Sequence, residues 1–191
     1  MAVHAVSLTT IACGDRVAVV GAGMIGLLTL QAARHAAASE VTVFDIDDTR
    51  LAMASALGAT RTLNSRDANC IQEMLENTSG HGADAVLECV GTSATVKLAV
   101  DVVRKGGQVT LVGNIAPTIE VNLQSIVTRQ IRLQGSSASS GEYEQCISLM
   151  AEGAIQVEPL ISAVAPLKDG AAWFERLYER APGLLKVVLQ P

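Results

Sequence analysis

Short apolar, β-branched runs alternate with helical stretches along most of this chain, and that rhythm constrains the fold more than any other feature. Val17-Ala18-Val19-Val20 reads as a buried strand closed by Gly21, and a helix over Met24–Ala38 follows, with Ile25, Leu28 and Ala32 on one face. Val41–Phe44 is the next strand, and a helix over Thr49–Leu57 stops at Gly58. Arg61–Leu63 forms a short third strand before a helix over Ala68–Asn77. Ala85–Cys89 is a fourth, before a helix over Ala94–Arg104 that Gly106-Gly107 ends. Gln108–Val112 and Ile131–Gln134 complete the set, and Gly135–Gly141 is a flexible loop after the last strand. Such runs between helices describe parallel βαβ units with both sheet faces covered. The expected class is α/β, a doubly wound six-stranded parallel sheet of Rossmann type.

Two ends fall outside that unit. Met1–Ile11 reads as a helix with Val3, Val6 and Thr10 on one side, yet no capping residue precedes it. After Gly153 the pattern changes to Pro159-Leu160-Ile161, a helix over Lys168–Arg180 and a strand over Leu185–Leu189.

Composition narrows the partners. The 191 residues carry a net charge of −5 with no basic run, which disfavours nucleic acid and anionic membranes. One Trp, two Tyr and two Phe leave little for base stacking. No apolar stretch approaches the ~18 residues of a spanning helix and no cationic leader opens the chain, so a cytoplasmic protein is expected. Cys13, Cys70, Cys89 and Cys146 contain no CxxC pair and are expected to be buried, inert, reduced thiols. His4, His35 and His81 are equally scattered, and no metal site is expected from this chain alone.

Gly21-Ala22-Gly23-Met24-Ile25-Gly26 is a GxGxxG between a strand and a helix, and a second strand ends in Asp45, 19 residues beyond Gly26. Gly21 permits the tight turn, Gly23 lets a pyrophosphate approach the backbone, and Gly26 lets helix and strand pack closely. The first-turn N–H groups and the helix dipole then hold the diphosphate. A carboxylate at Asp45 accepts the adenosine ribose hydroxyls and repels a 2′-phosphate, favouring NAD over NADP. Asp47 or Asp48 suits capping of the following helix better. The loops Cys89-Val90-Gly91 and Val112-Gly113-Asn114 lie at the carboxyl edge, where ligands sit in such sheets. Glu88 reads as an end-of-strand acid satisfied by local backbone.

Together GAGMIG, FDIDDTRLAMASALGA, GADAVLECVG, KGGQVTLVG and the closing GLLKVVLQP resemble the medium-chain zinc-dependent alcohol dehydrogenase family, most of all its polyol/sorbitol branch. The resemblance implies a coenzyme-binding domain, with the zinc ligands in a GroES-like catalytic domain that this sequence lacks. Residues 1–13 are then a remnant of a linking helix, 14–153 the NAD-binding domain, and 154–191 a segment returning to the catalytic domain. It further implies that Gly21, Gly23, Met24, Ile25 and Gly26 bind cofactor, with Ile25 behind the nicotinamide. Asp45 and Arg50 would meet the adenosine ribose, and Lys186 the pyrophosphate. Val90, Val112 and Ser136 would lie around the nicotinamide and its ribose, with Cys89, Gly91 and Gly113 as further cofactor-binding candidates from their place at the carboxyl edge. In the complete enzyme, zinc would polarise a secondary alcohol and NAD would take the hydride. Small alcohols or polyols are the implied substrates, and a homodimer or homotetramer the implied assembly. One departure stands out: Gly135-Ser136-Ser137-Ala138-Ser139-Ser140 replaces the Arg-Tyr pair usual in polyol dehydrogenases after strand six. No residue here is a candidate for proton transfer. A non-catalytic NAD-binding or assembly module is the alternative, and a methyltransferase a third reading, disfavoured by the third glycine and the sixth parallel strand.

Overall fold

In the computed structural model, which describes residues 1–179 and 181–191, six strands line up in parallel in the order β3-β2-β1-β4-β5-β6. They are β1 (Arg16–Val20), β2 (Glu40–Asp45), β3 (Arg61–Asn64), β4 (Ala83–Glu88), β5 (Val103–Leu111) and β6 (Arg132–Gly135). The helices connecting them are α2 (Met24–His35), α3 (Asp48–Ala56), α4 (Cys70–Asn77), α5 (Ser93–Val102) and α6 (Leu123–Thr128). Helices α1 (Ala2–Ser7) and α7 (Tyr143–Ala151) flank this unit in the chain.

Period-two alternation sends successive side chains to opposite faces. Val17, Val19, Val41, Val43 and Leu87 form one buried cluster with Val3 and Val6 of α1, Leu27 and Leu30 of α2, Leu51 of α3 and Leu149 of α7. Ala18, Val20, Phe44, Val86 and Val109 form the other, with Met74 of α4 and Ala99 and Val100 of α5. Strand β1 lies between β2 and β4, so the winding direction reverses beside it and opens a crevice at the carboxyl ends. This is the expected doubly wound sheet, and its six parallel strands remove the methyltransferase reading.

Several boundaries differ from the sequence expectation for physical reasons. Helix α2 stops at His35, not Ala38, because Ala37 takes φ +73° and Ala38 N–H closes back onto Ala33. That closure is ordinarily the work of glycine, as Gly58 performs after α3. Gly106-Gly107 does not end a helix: α5 is over at Val102, and the pair lies inside β5. The register between β4 and β5 shifts there, and a Cβ on Gly107 would come within 2.9 Å of the Asp84 carbonyl oxygen. Helices α6 and α7 were not expected from the sequence. Helix α6 buries no residue, so it lacks the apolar stripe that marks a helix, although the Asn122 side chain caps it by accepting from Ser125 N–H.

Helix α1 is shorter than Met1–Ile11, and Thr9, not Thr10, is buried. The Thr9 hydroxyl lies 2.7 Å from that of Thr110, while Gln108 donates to Leu8 C=O and accepts from Thr10 N–H. These bonds fasten the end of α1 to β5. Of the cysteines only Cys70 is fully buried; Cys13 is exposed because it lies in the turn before β1, which corrects the expectation of four buried thiols. In the tail, β7 (Ile161–Pro166), α8 (Gly170–Tyr178) and β8 (Lys186–Gln190) form a separate two-stranded parallel sheet with its crossover helix. Arg180, the last residue of the expected tail helix, lies outside the described residues.

Candidate dinucleotide site

The three glycines of the loop between β1 and α2 occupy different environments. Gly21 has φ +97°, its N–H donates to Phe44 C=O at 2.7 Å, and a Cβ there would meet the Val90 side chain at 2.4 Å. Gly26 packs so tightly that a Cβ would fall 1.7 Å from the Gly21 carbonyl oxygen. Gly23 has nothing within 4 Å of the Cβ position and leaves open space in front of the helix. So Gly21 makes the turn, Gly26 permits helix and strand to touch, and Gly23 faces room for a ligand. No side chain caps the N-terminus of α2, whereas Asp47 caps α3 and Thr92 caps α5. The first-turn N–H groups, those of Met24, Ile25 and Gly26 among them, have no intrahelical acceptor and suit an anion.

Asp45 ends β2 beside this loop and is buried. One carboxylate oxygen accepts Ala22 N–H at 2.6 Å and the other accepts Asp47 N–H at 3.0 Å. A carboxylate offers about four lone-pair sites, so each oxygen keeps acceptor capacity for a hydroxyl. Asp47 is the cap: one oxygen accepts from Thr49 N–H at 2.8 Å and Arg50 N–H at 3.4 Å. The Thr49 hydroxyl and N–H hold its carboxyl below the usual carboxylate range. Arg50 lies in the first turn of α3 with its Nε 3.9 Å from Asp47. Arg50, Asp47, Thr49 and Met53 line a cavity of about 140 Å³ whose other wall is residues 181–185 of the tail. Lys186 is exposed at the start of β8, and its neighbour Leu185 rather than Lys186 lines that cavity.

The carboxyl ends of β4, β5 and β6 are bonded into one edge. Glu88 is fully buried, and its carboxylate accepts Val90 N–H at 2.9 Å and Gly91 N–H at 2.8 Å. Its backbone carbonyl accepts Val112 N–H and Gly113 N–H. Gly91 and Gly113 touch so closely that a Cβ on Gly113 would lie 2.2 Å from Gly91 N. Cys89 N–H donates to Val20 C=O, and its thiol lies 3.8 Å from the Thr29 hydroxyl. Burial pushes that thiol up to about 12, so it stays protonated and unreactive at neutral pH. Ser136 N–H is taken by Leu111 C=O, and Ser136 Oγ is a buried side-chain oxygen without a hydrogen-bond partner among the described residues.

The structure thus gathers Gly21, Gly23, Met24, Ile25, Gly26 and Asp45 around one loop. Val90, Gly91, Val112, Gly113 and Ser136 stand along the adjoining strand ends, with Cys89 beneath them. Lys186 is not drawn in. Sequence reading passed over Ile46, which follows Asp45 directly and is 54% exposed, an apolar surface beside the acid. A large aliphatic residue between two acids was the available signal. Among the described residues no group of three or more His, Cys, Asp or Glu side chains gathers to hold a metal.

Residues 25–152 match the model of the zinc-binding dehydrogenase family. The chain belongs to that family. It is 32% identical over 192 residues to sorbitol dehydrogenase of Halalkalibacterium halodurans, covering 98% of this chain and 55% of that protein. Alcohol dehydrogenase TADH from Thermus sp. ATN1 superposes with a TM-score of 0.90 at 32% identity, over 100% of this chain and 55% of its own. A zinc-binding dehydrogenase-like protein of Sinorhizobium meliloti 1021, solved with NADP bound, superposes with a TM-score of 0.90 at 30% identity, covering 100% of this chain and 56% of that one. The chain spans about half the length of the curated relatives it matches.

Proposed function

We propose that this zinc-binding dehydrogenase chain is the NAD(H)-binding domain of an alcohol or polyol dehydrogenase, with residues 14–153 as the nucleotide domain and 154–191 serving a second, catalytic domain. The zinc of the family and the substrate pocket belong, on this reading, to that second domain. The observation that carries it is the Asp45 carboxylate, fixed by Ala22 N–H on the glycine loop and Asp47 N–H beyond β2. Both bonds orient the acid before any ligand arrives, so ribose hydroxyls meet a preorganised acceptor. Gly23 and the first-turn N–H groups of α2 hold the diphosphate, and Arg50 adds a cation near the adenosine ribose. Ile25, Val90, Val112 and Ser136 enclose the nicotinamide, which supplies the hydride acceptor when bound. The negative charge at Asp45 repels a 2′-phosphate and selects NAD over NADP.

Fluorescence titration of the intact chain with NADH and NADPH tests this. Hydrogen bonds to a charged group contribute about 1.5–3 kcal/mol, so Asp45→Ala should weaken NADH binding roughly ten- to a hundred-fold. NADPH binding should fall less or improve. Unchanged NADH affinity would place the ribose at another carboxylate.

Among the described residues strand β6 pairs only with β5, and all four of its residues are exposed, Leu133 included. A free strand edge with exposed Ile115, Leu123 and Val127 nearby is a pairing template, and we propose a homodimer built on it. Sedimentation should show a dimer, and Leu133→Lys should shift it toward monomer.

A further inference from the structure

The loop that leaves β6 is exposed, and one side chain ties down its far end. Residues 137–141 are all exposed, Ala138 takes φ +51° and Gly141 φ +95°. At its start Ser136 N–H is bonded to Leu111 C=O, and at its end stands Glu142, just before α7. The Glu142 side chain is only 14% exposed and uses both oxygens. Oε2 accepts Ser140 N–H at 2.6 Å, gripping the loop's own backbone. Oε1 lies 2.7 Å from Nδ1 of His4, whose side chain is 15% exposed.

His4 is anchored through its helix. Its neighbours Val3 and Ala5 are buried in the core, and the end of α1 is bonded to β5 through Thr9–Thr110 and Gln108. Residues 138 positions apart are thereby joined in a closed ring running from β5 through α1, His4, Glu142 and Ser140 back to Ser136 and the end of β5. The Ser140 N–H and the His4 ring also stabilise the ionised Glu142 carboxyl, holding it below its usual range.

We propose that His4 and Glu142 are a positioning pair, which sets the Gly135–Glu142 loop against the nicotinamide side of the dinucleotide site. This rests on the reading above that Ser136 borders the nicotinamide. Without the pair, the loop retains its bond at Ser136 but loses the brace that fixes its far end. The adenosine half of the site, at Gly21–Gly26 and Asp45, makes no hydrogen bond to this loop. The pair therefore acts on one end of the ligand.

ADP-ribose, which lacks the nicotinamide, separates the two ends. His4→Leu should leave ADP-ribose affinity within about twofold, while NADH affinity falls about fivefold and the emission of bound NADH reverts toward that of the free cofactor. His4→Asn, which keeps an N–H donor near the Nδ1 position, should restore both readouts. Glu142→Gln, which leaves Ser140 N–H or His4 without its acceptor oxygen, should reproduce the NADH loss and serves if His4→Leu does not fold. Equal losses for both ligands, or an unchanged NADH affinity in both variants, would overturn the pair's positioning role. Failure of the unmutated chain to bind ADP-ribose would instead remove the dinucleotide reading, and this inference with it.

Discussion

Strands β1 and β8 are each five residues long and valine-rich, RVAVV and KVVLQ, yet four residues of β1 are buried and none of β8. Strand β1 has a parallel neighbour on each edge and helices over both faces. Strand β8 pairs with β7 alone, and around this pair Val164, Leu167, Phe174 and Tyr178 stay exposed. The contrast teaches that an apolar β-branched run encodes an extended backbone, whereas burial depends on what its neighbours supply. Two strands with one short helix do not enclose a core of their own.

Truncation should separate the two regions most. Leu87→Ala, in the fully buried centre of β4, should cost about 2–5 kcal/mol in urea unfolding, with Val164→Ala in β7 within about 0.5 kcal/mol. Comparable losses would mean that the tail is as integral as the sheet. Hydrogen exchange should then resolve them by protection: amides of Val17–Val20 open only with the whole sheet, and those of Lys186–Gln190 open locally. NADH at about a hundred times its dissociation constant should add about 2.7 kcal/mol of protection to β1 and little to β8. Equal gains would show that cofactor binding orders the tail too, through the cavity between Arg50 and residues 181–185.

The smallest effect probes the rim of the sheet. Asp47→Ala removes the cap of α3 and should cost about 1 kcal/mol at neutral pH, with cofactor preference unchanged. Because the folded carboxyl lies below its unfolded value, the cap's contribution is present above the ordinary carboxylate range and fades as pH falls through the folded value. Urea curves for both proteins should therefore differ at neutral pH, and the difference should shrink as pH falls below the ordinary carboxylate range.

The six strands and the glycine loop were legible because short apolar β-branched runs, a glycine at the strand–helix turn and an acid at the end of β2 are local signals, whereas the strand order comes from the packed sheet. A cap at Asp47 or Asp48 and Glu88 as a backbone-satisfied acid were legible for the same reason, and the structure selects Asp47. Gly106-Gly107 was misread as a helix stop because close strand approach and helix termination call for the same residue. Helix α6 went unseen because it buries nothing, and the end of α2 was misplaced because a non-glycine residue takes the positive φ.

By itself, then, the sequence determined the parallel βα winding, the crevice beside β1 and the acid that faces it, since each follows from the chemistry of neighbouring residues. Tertiary structure alone decided that Glu88 bonds the loops after β4 and β5 into one edge, that the tail wall approaches Arg50 while Lys186 stays outside, and that His4 meets Glu142. Those contacts join residues far apart along the chain. Hydrophobic patterning specifies which faces pack, and only the packed faces bring such polar groups within hydrogen-bond reach.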